Sequence, residues 1–160
     1  MRRVTLFLLT LFLLFPSCQR ASAVNNGGLA DALLRVQNVL GGAQNFVTTD
    51  KDFTQSNFGT PAYLDEGVVC FGEGEKTQEI GIFLLRDRSK AKEFKGLLQQ
   101  YLQREAEALS SLAALYPAEE LEKRLSLYEN ATVGSEGMLV WYFVLEGADT
   151  QKALDALTGR

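Results

Sequence analysis

Apolar residues recur along this chain in two rhythms, and the switches between them mark its elements. Leu29, Leu33, Val36 and Leu40 stand three and four apart and predict a helix, stopped by Gly41 and Gly42. From Ala43 to Tyr63 the chain turns polar, with Phe46, Phe53 and Phe58 as isolated apolar points, which predicts a mostly irregular surface segment pinned by its aromatics. The strings "GVVCF" and "QEIGIFLLR", joined by the turn "GEGEKT", predict a β-hairpin. From Ser89 the helical rhythm returns: Phe94, Leu98, Tyr101, Leu102, Ala108, Leu109, Leu112 and Leu115 form a stripe reaching Tyr116, with Asp87 or Ser89 as its cap. Pro117 ends that helix and opens a short one over "AEELEKRLSLY". "NATV", a turn at "GSEG" and "MLVWYFVL" predict a second hairpin, and "DTQKALDAL" a closing helix capped by Asp149 or Thr150.

The last strand is apolar on both faces, with Leu139, Trp141, Phe143 and Leu145 on one and Met138, Val140, Tyr142 and Val144 on the other. A sheet with one solvated face would alternate with polar residues. Both faces are therefore covered, by the chain's own helices and aromatic loop or by another molecule. The expected fold is a single α+β domain, an antiparallel sheet of three to five strands packed against a long central helix plus terminal helices.

The first 23 residues read as an address. "MRR" precedes the run "VTLFLLTLFLLF" of 12 residues, shorter than the ~20 needed to span a bilayer, and small residues follow. Two cuts compete. "FPSC" has a small residue before Cys18 and an apolar one three before it, as a lipoprotein signal requires, and the apolar run ends just ahead of the cysteine. "ASA" offers an ordinary cut after Ala23. The cut before Cys18 is favoured, and it makes Cys18 the lipid attachment residue. The division is then signal peptide 1–23, tether 24–28 and domain 29–160. The expected location is the outer face of the cell membrane, or the medium if the cut falls after Ala23.

Charge and composition narrow the chemistry. Without Arg2 and Arg3 the Cys18 form carries 14 basic against 20 acidic side chains, a poor match for nucleic acid, so none is expected as a partner. Histidine is absent, which removes the Ser-His-Asp and Cys-His machineries and the usual zinc sites. Cys70 has no partner for an intramolecular disulfide and reads as a small buried hydrophobe.

Other strings resemble binding sites only in part. "GEGEKT" has neither the spacing nor the following helix of a phosphate loop. "DKDFTQSNFG" begins like a calcium loop, but Gln55 and Pro61 stand where glycine and glutamate belong. Asp65, Glu66, Glu73, Glu75 and Glu79 are numerous enough to meet a divalent cation, but carboxylates near turns are ordinary and these read as solvated. In "RDRSKAKEFK", Arg86, Arg88, Lys90, Lys92 and Lys95 crowd a helix start, either as a solvated end or as a patch for anionic headgroups or an acidic partner.

From about Asp65 to Leu157 the strings "EIGIFLLRDRSKAKEF", "LYPAEE" and "GMLVWYFVLEG" resemble a bacterial family called domain of unknown function 4358, mostly Gram-positive, whose members look like lipoproteins. The resemblance implies a lipid-anchored envelope protein and carries over no functional residue. The expected function is a non-catalytic, lipid-anchored extracytoplasmic binding or assembly module, with no cofactor and an unidentified protein partner. The alternative is a secreted or envelope hydrolase using carboxylates.

Overall fold

The computed structural model describes residues 28–74 and 77–160; the signal, Cys18, most of the tether and the tip of the "GEGEKT" turn lie outside them. Helix α1 (Gly28–Val39) buries Leu29, Ala32, Leu33 and Val36, and ends where Gly41 and Gly42 take positive φ. Next come β1 (Phe46–Thr48) and α2 (Lys51–Phe58), then β2 (Leu64–Gly72) and β3 (Glu79–Leu85). The long helix α3 (Ala91–Ser111) and the shorter α4 (Ala118–Glu129) lead into β4 (Thr132–Glu136) and β5 (Leu139–Val144), and α5 (Gly147–Thr158) closes the chain.

The five strands form one antiparallel sheet in the order β1-β2-β3-β5-β4. The fold is thus α+β, with the long helix packed on the sheet as expected. Strand alternation splits the core in two. Cys70, Ile80, Ile82, Leu139, Trp141 and Phe143 pack under α1 and α5. Val69, Phe83, Leu85, Val140, Tyr142 and Val144 pack under α2 and α3. Both faces of the sheet are therefore covered by the chain's own helices, which is why β3 and β5, Glu79 apart, show no polar side. Arg35 ties α1 to the C-terminal end of α5, its Nε donating to the Ala156 carbonyl at 3.2 Å, where the helix dipole favours a cation.

Four expectations need correction. The segment 43–63 is not mostly irregular: β1 and α2 lie within it. Asp50 caps α2, its carboxylate accepting from the Phe53 amide at 2.9 Å, and Phe58 is buried against Phe83. The stripe of α3 stops being buried after Leu102, and Leu112 and Leu115 are exposed. A 21-residue helix runs about 31 Å, whereas the six residues of β5 reach only about 20 Å. The far end of α3 therefore overhangs the sheet. The second hairpin turns at Gly137 and Met138, not at "GSEG", because Gly134, Ser135 and Glu136 remain in β4. Finally, α5 begins inside the expected cap, with Asp149 and Thr150 already donating their amides to the Glu146 carbonyl. Asp87, by contrast, does cap the approach to α3, accepting from the Ser89 amide at 2.8 Å.

Candidate functional site

A carboxylate lies inside the sheet's α3 face. Glu79 opens β3 and is 1% exposed. It shares the face of Gly81, Phe83 and Leu85, since strand residues two apart point the same way. Three phenols from three other elements converge on it. Tyr101 of α3 donates to its Oε1 at 2.6 Å, Tyr142 of β5 donates to the same oxygen, and Tyr128 of α4 donates to Oε2 at 3.0 Å. Tyr142 stands directly across from Gly81 in the β3–β5 ladder, and a Cβ at Gly81 would run into its ring. The missing side chain lets the ring lie along β3 and reach Glu79, a glycine–aromatic pairing of neighbouring strands.

Burial raises the Glu79 carboxyl above the usual range. The three phenol donors pull it down and the nearby Glu105 pushes it up again, and burial prevails. Burial beside a carboxylate also raises the hydroxyls of Tyr101, Tyr128 and Tyr142, so all three remain donors. Glu79 is sealed from solvent and the cluster is internally satisfied, with only Tyr128 half-buried. Its chemistry is that of a structural joint among β3, β5, α3 and α4. The reading of Glu79 as a solvated carboxylate is thereby overturned. A signal was present in the sequence, because Glu79 keeps step with Phe83 and Leu85 in a strand that is apolar on both faces.

An open groove lies at the opposite edge of the molecule from β4. Strand β1 pairs only with Cys70, Phe71 and Gly72, and the chain leaves the ladder at Thr49, whose amide and hydroxyl both donate to the Val69 carbonyl. Beyond that point the edge of β2 from Leu64 to Val68 faces a cavity of about 740 Å³. Leu29, Ala30 and Leu33 of α1 form one wall, and Lys51, Thr54 and Gln55 of α2 the other. Gly59 to Ala62 close one end beside the Arg86–Asp65 ion pair, at 3.0 Å.

The basic segment is partly neutralised. Arg86 is held by Asp65, and Lys90 pairs with Glu93 at 2.8 Å while lying over the Tyr63 ring. Among the described residues, Arg88, Lys92 and Lys95 form no ion pair. Cys70 is fully buried and accepts from Gln37 Nε2 at 3.7 Å; burial pushes its thiol up to about 12, far from a thiolate nucleophile. Among the described residues no group of three histidine, cysteine or acidic side chains is placed to hold a metal ion. Asp65 and Glu66 are exposed at the groove, and Glu73 is exposed at the turn.

No protein-family model, curated protein or solved structure matches this chain. What is defined is a single α+β domain carrying an open groove and a sealed polar joint.

Proposed function

We propose that the protein is a non-catalytic binding or assembly module, tethered by a lipid on Cys18 to the outer face of a cell membrane. The observation carrying the binding half is the groove beside β2: it is open, and its walls are mostly apolar and neutral polar. Its two carboxylates, Asp65 and Glu66, are successive residues of one strand, and Asp65 is engaged by Arg86. A hydrolase working through two acids would set them across a cleft at a defined separation. The tethering half rests on "LFLLFPSC" and on the resemblance to envelope lipoproteins. A doubly or triply acylated cysteine would hold the domain stably, where a single chain would not.

Mass spectrometry of the mature protein from its native membrane is expected to find an acylated Cys18 at the N-terminus. A chain beginning at an unmodified Val24 would overturn the tether. On the same reading Arg88, Lys92 and Lys95 face anionic headgroups, since clustered cations near a leaflet gain from its surface potential. Reversing Arg88 and Lys92 to glutamate should weaken binding to phosphatidylglycerol vesicles, and equal binding before and after would dismiss the patch.

A further inference from the structure

We infer that two copies of this chain join edge to edge through β4, continuing one antiparallel sheet across a two-fold axis at Gly134. The inference goes beyond the reading above and needs neither the groove nor the lipid. β5 pairs with one side of β4, and no strand of the described residues pairs with the other. Which peptide groups face outward follows from the ladder. The Leu85 amide donates to the Met138 carbonyl, so Met138, Val140 and Tyr142 turn their peptide groups to β3. Leu139, Trp141 and Phe143 turn theirs to β4, where Glu136, Gly134 and Thr132 answer them in an unbroken register. That parity leaves the N–H and C=O of Val133 and of Ser135 pointing out of the sheet. No lysine, proline or bulge blunts this edge, the usual devices against contact between strands. A second observation lies at the same place. Trp141 is 5% exposed, and its buried indole N–H finds no acceptor among the described residues. The ring reaches across from β5 to lie over Gly134, where a Cβ would stand 2.6 Å from Cε2 and 2.8 Å from Nε1. A buried donor without a partner costs free energy, which favours any arrangement that brings an acceptor alongside.

A second β4 supplies what each position needs. Antiparallel overlap centred on Gly134 sets Val133 across from the partner's Ser135, and their free peptide groups close main-chain bonds on both sides of the axis. Gly134 meets the partner's Gly134, so no side chain competes with the two indoles. Glu136, the one charged residue of the strand, meets the partner's Thr132 rather than another carboxylate. The partner's Thr132 and Glu136 flank its Gly134 on the face that carries Trp141, which brings a hydroxyl and a carboxylate alongside the orphaned indole N–H. A strand of another protein would have to bring a glycine opposite Gly134 with acceptors two positions to either side; β4 itself carries both, and a two-fold axis satisfies both copies at once. The chain's own N-terminus is too short to take this place. After either cut, residues 18–27 at most precede Gly28, and α1 begins at the β2 side of the sheet. That segment extends ~33 Å, and laying about five residues along β4 leaves ~17 Å to pass α1 and α5, each about 10 Å across.

The test is sedimentation velocity and residue-resolved hydrogen exchange on the full chain in detergent micelles, between about 1 and about 100 μM protein. The expected result is a concentration-dependent dimer in which the Val133 and Ser135 amides exchange ~10-fold or more slowly than in the single chain. The Thr132, Gly134 and Glu136 amides, already bonded to β5, should not change. Trp141 is the chain's one tryptophan, so its indole N–H gives a single resonance, which should move downfield as the dimer forms. Ser135→Pro removes an outward N–H at a position where an edge strand tolerates proline, and Ser135→Lys sets a charge there. Each should weaken association by ~10-fold or more while the dissociated chain keeps its thermal midpoint. A single chain at every concentration would overturn the inference, and so would a dimer that survives both variants. Protection of Val133 and Ser135 in a chain sedimenting alone would give the edge to residues 1–27. Protection appearing only on addition of membrane extract would give it to another protein, and either result overturns the self-pairing.

Discussion

The two sides of the sheet bury similar amounts of chain by different means. Under α1 and α5 the core is mostly aliphatic, with Phe46, Trp141 and Phe143 as its rings and Gln37 and Cys70 as its buried polar contact. Under α2, α3 and α4 it is aromatic: Phe58, Phe83, Phe94, Tyr101 and Tyr142 meet edge to face, tilted or, for Phe83 and Tyr142, stacked, and the two phenols converge on one carboxylate. The first side is held by area removed from water, which has no direction and little dependence on pH below the thiol's range. The second adds directed bonds that work only when every partner is present. Its helix α4 has no fully buried residue, so the Tyr128–Glu79 bond is its polar link to the sheet.

The contrast can be broken most strongly from the aliphatic side. Phe143 is fully buried between β3 and the terminal helices, and Phe143→Ala should cost about 3–5 kcal/mol in urea unfolding at neutral pH. A loss under about 1 kcal/mol would mean that this side is loosely packed. On the aromatic side, Tyr101→Phe removes one donor to a buried carboxylate and should cost roughly 1.5–3 kcal/mol. Tyr128→Phe acts at a half-buried hydroxyl, where water can replace the phenol, and should cost about 1 kcal/mol or less. The reverse order would show that α4, not α3, is the principal support of Glu79.

The dependence on pH sharpens the comparison most. Because the folded protein raises the Glu79 carboxyl, the native state holds this proton more tightly than the unfolded chain does. The Glu79 contribution to stability is therefore full below the ordinary carboxyl range. It declines as pH rises through the interval between the unfolded and folded values, by at most about 1.4 kcal/mol per pH unit. Urea unfolding from pH 4 to 8 should show this decline in the wild type and lose it in Glu79→Gln. Matching slopes in the two proteins would place the proton elsewhere.

Much of the fold could be read from local pattern. The apolar spacings of α1 and α3, the alternation in β3 and β5, and Pro117 between two helices are short-range instructions, and the structure follows them. Element ends were less legible. Whether Leu112 and Leu115 are covered depends on the width of the sheet below them, which no residue near them encodes. Segment 43–63 looked irregular because its helix and strand are short, and they are stabilised by distant contacts such as Phe58 on Phe83. The groove was illegible for a related reason: it exists because β1 stops short of β2, a mismatch between elements.

The sequence by itself determined the class of fold, the coverage of both sheet faces and the absence of histidine chemistry, because periodicity and composition are properties of neighbours along a chain. Only the tertiary structure decided that Glu79 is sealed among Tyr101, Tyr128 and Tyr142, which lie 22 to 63 residues away. A carboxylate's surroundings are set by whatever folds across it, and residues so distant meet only once the sheet has formed and its helices have packed down.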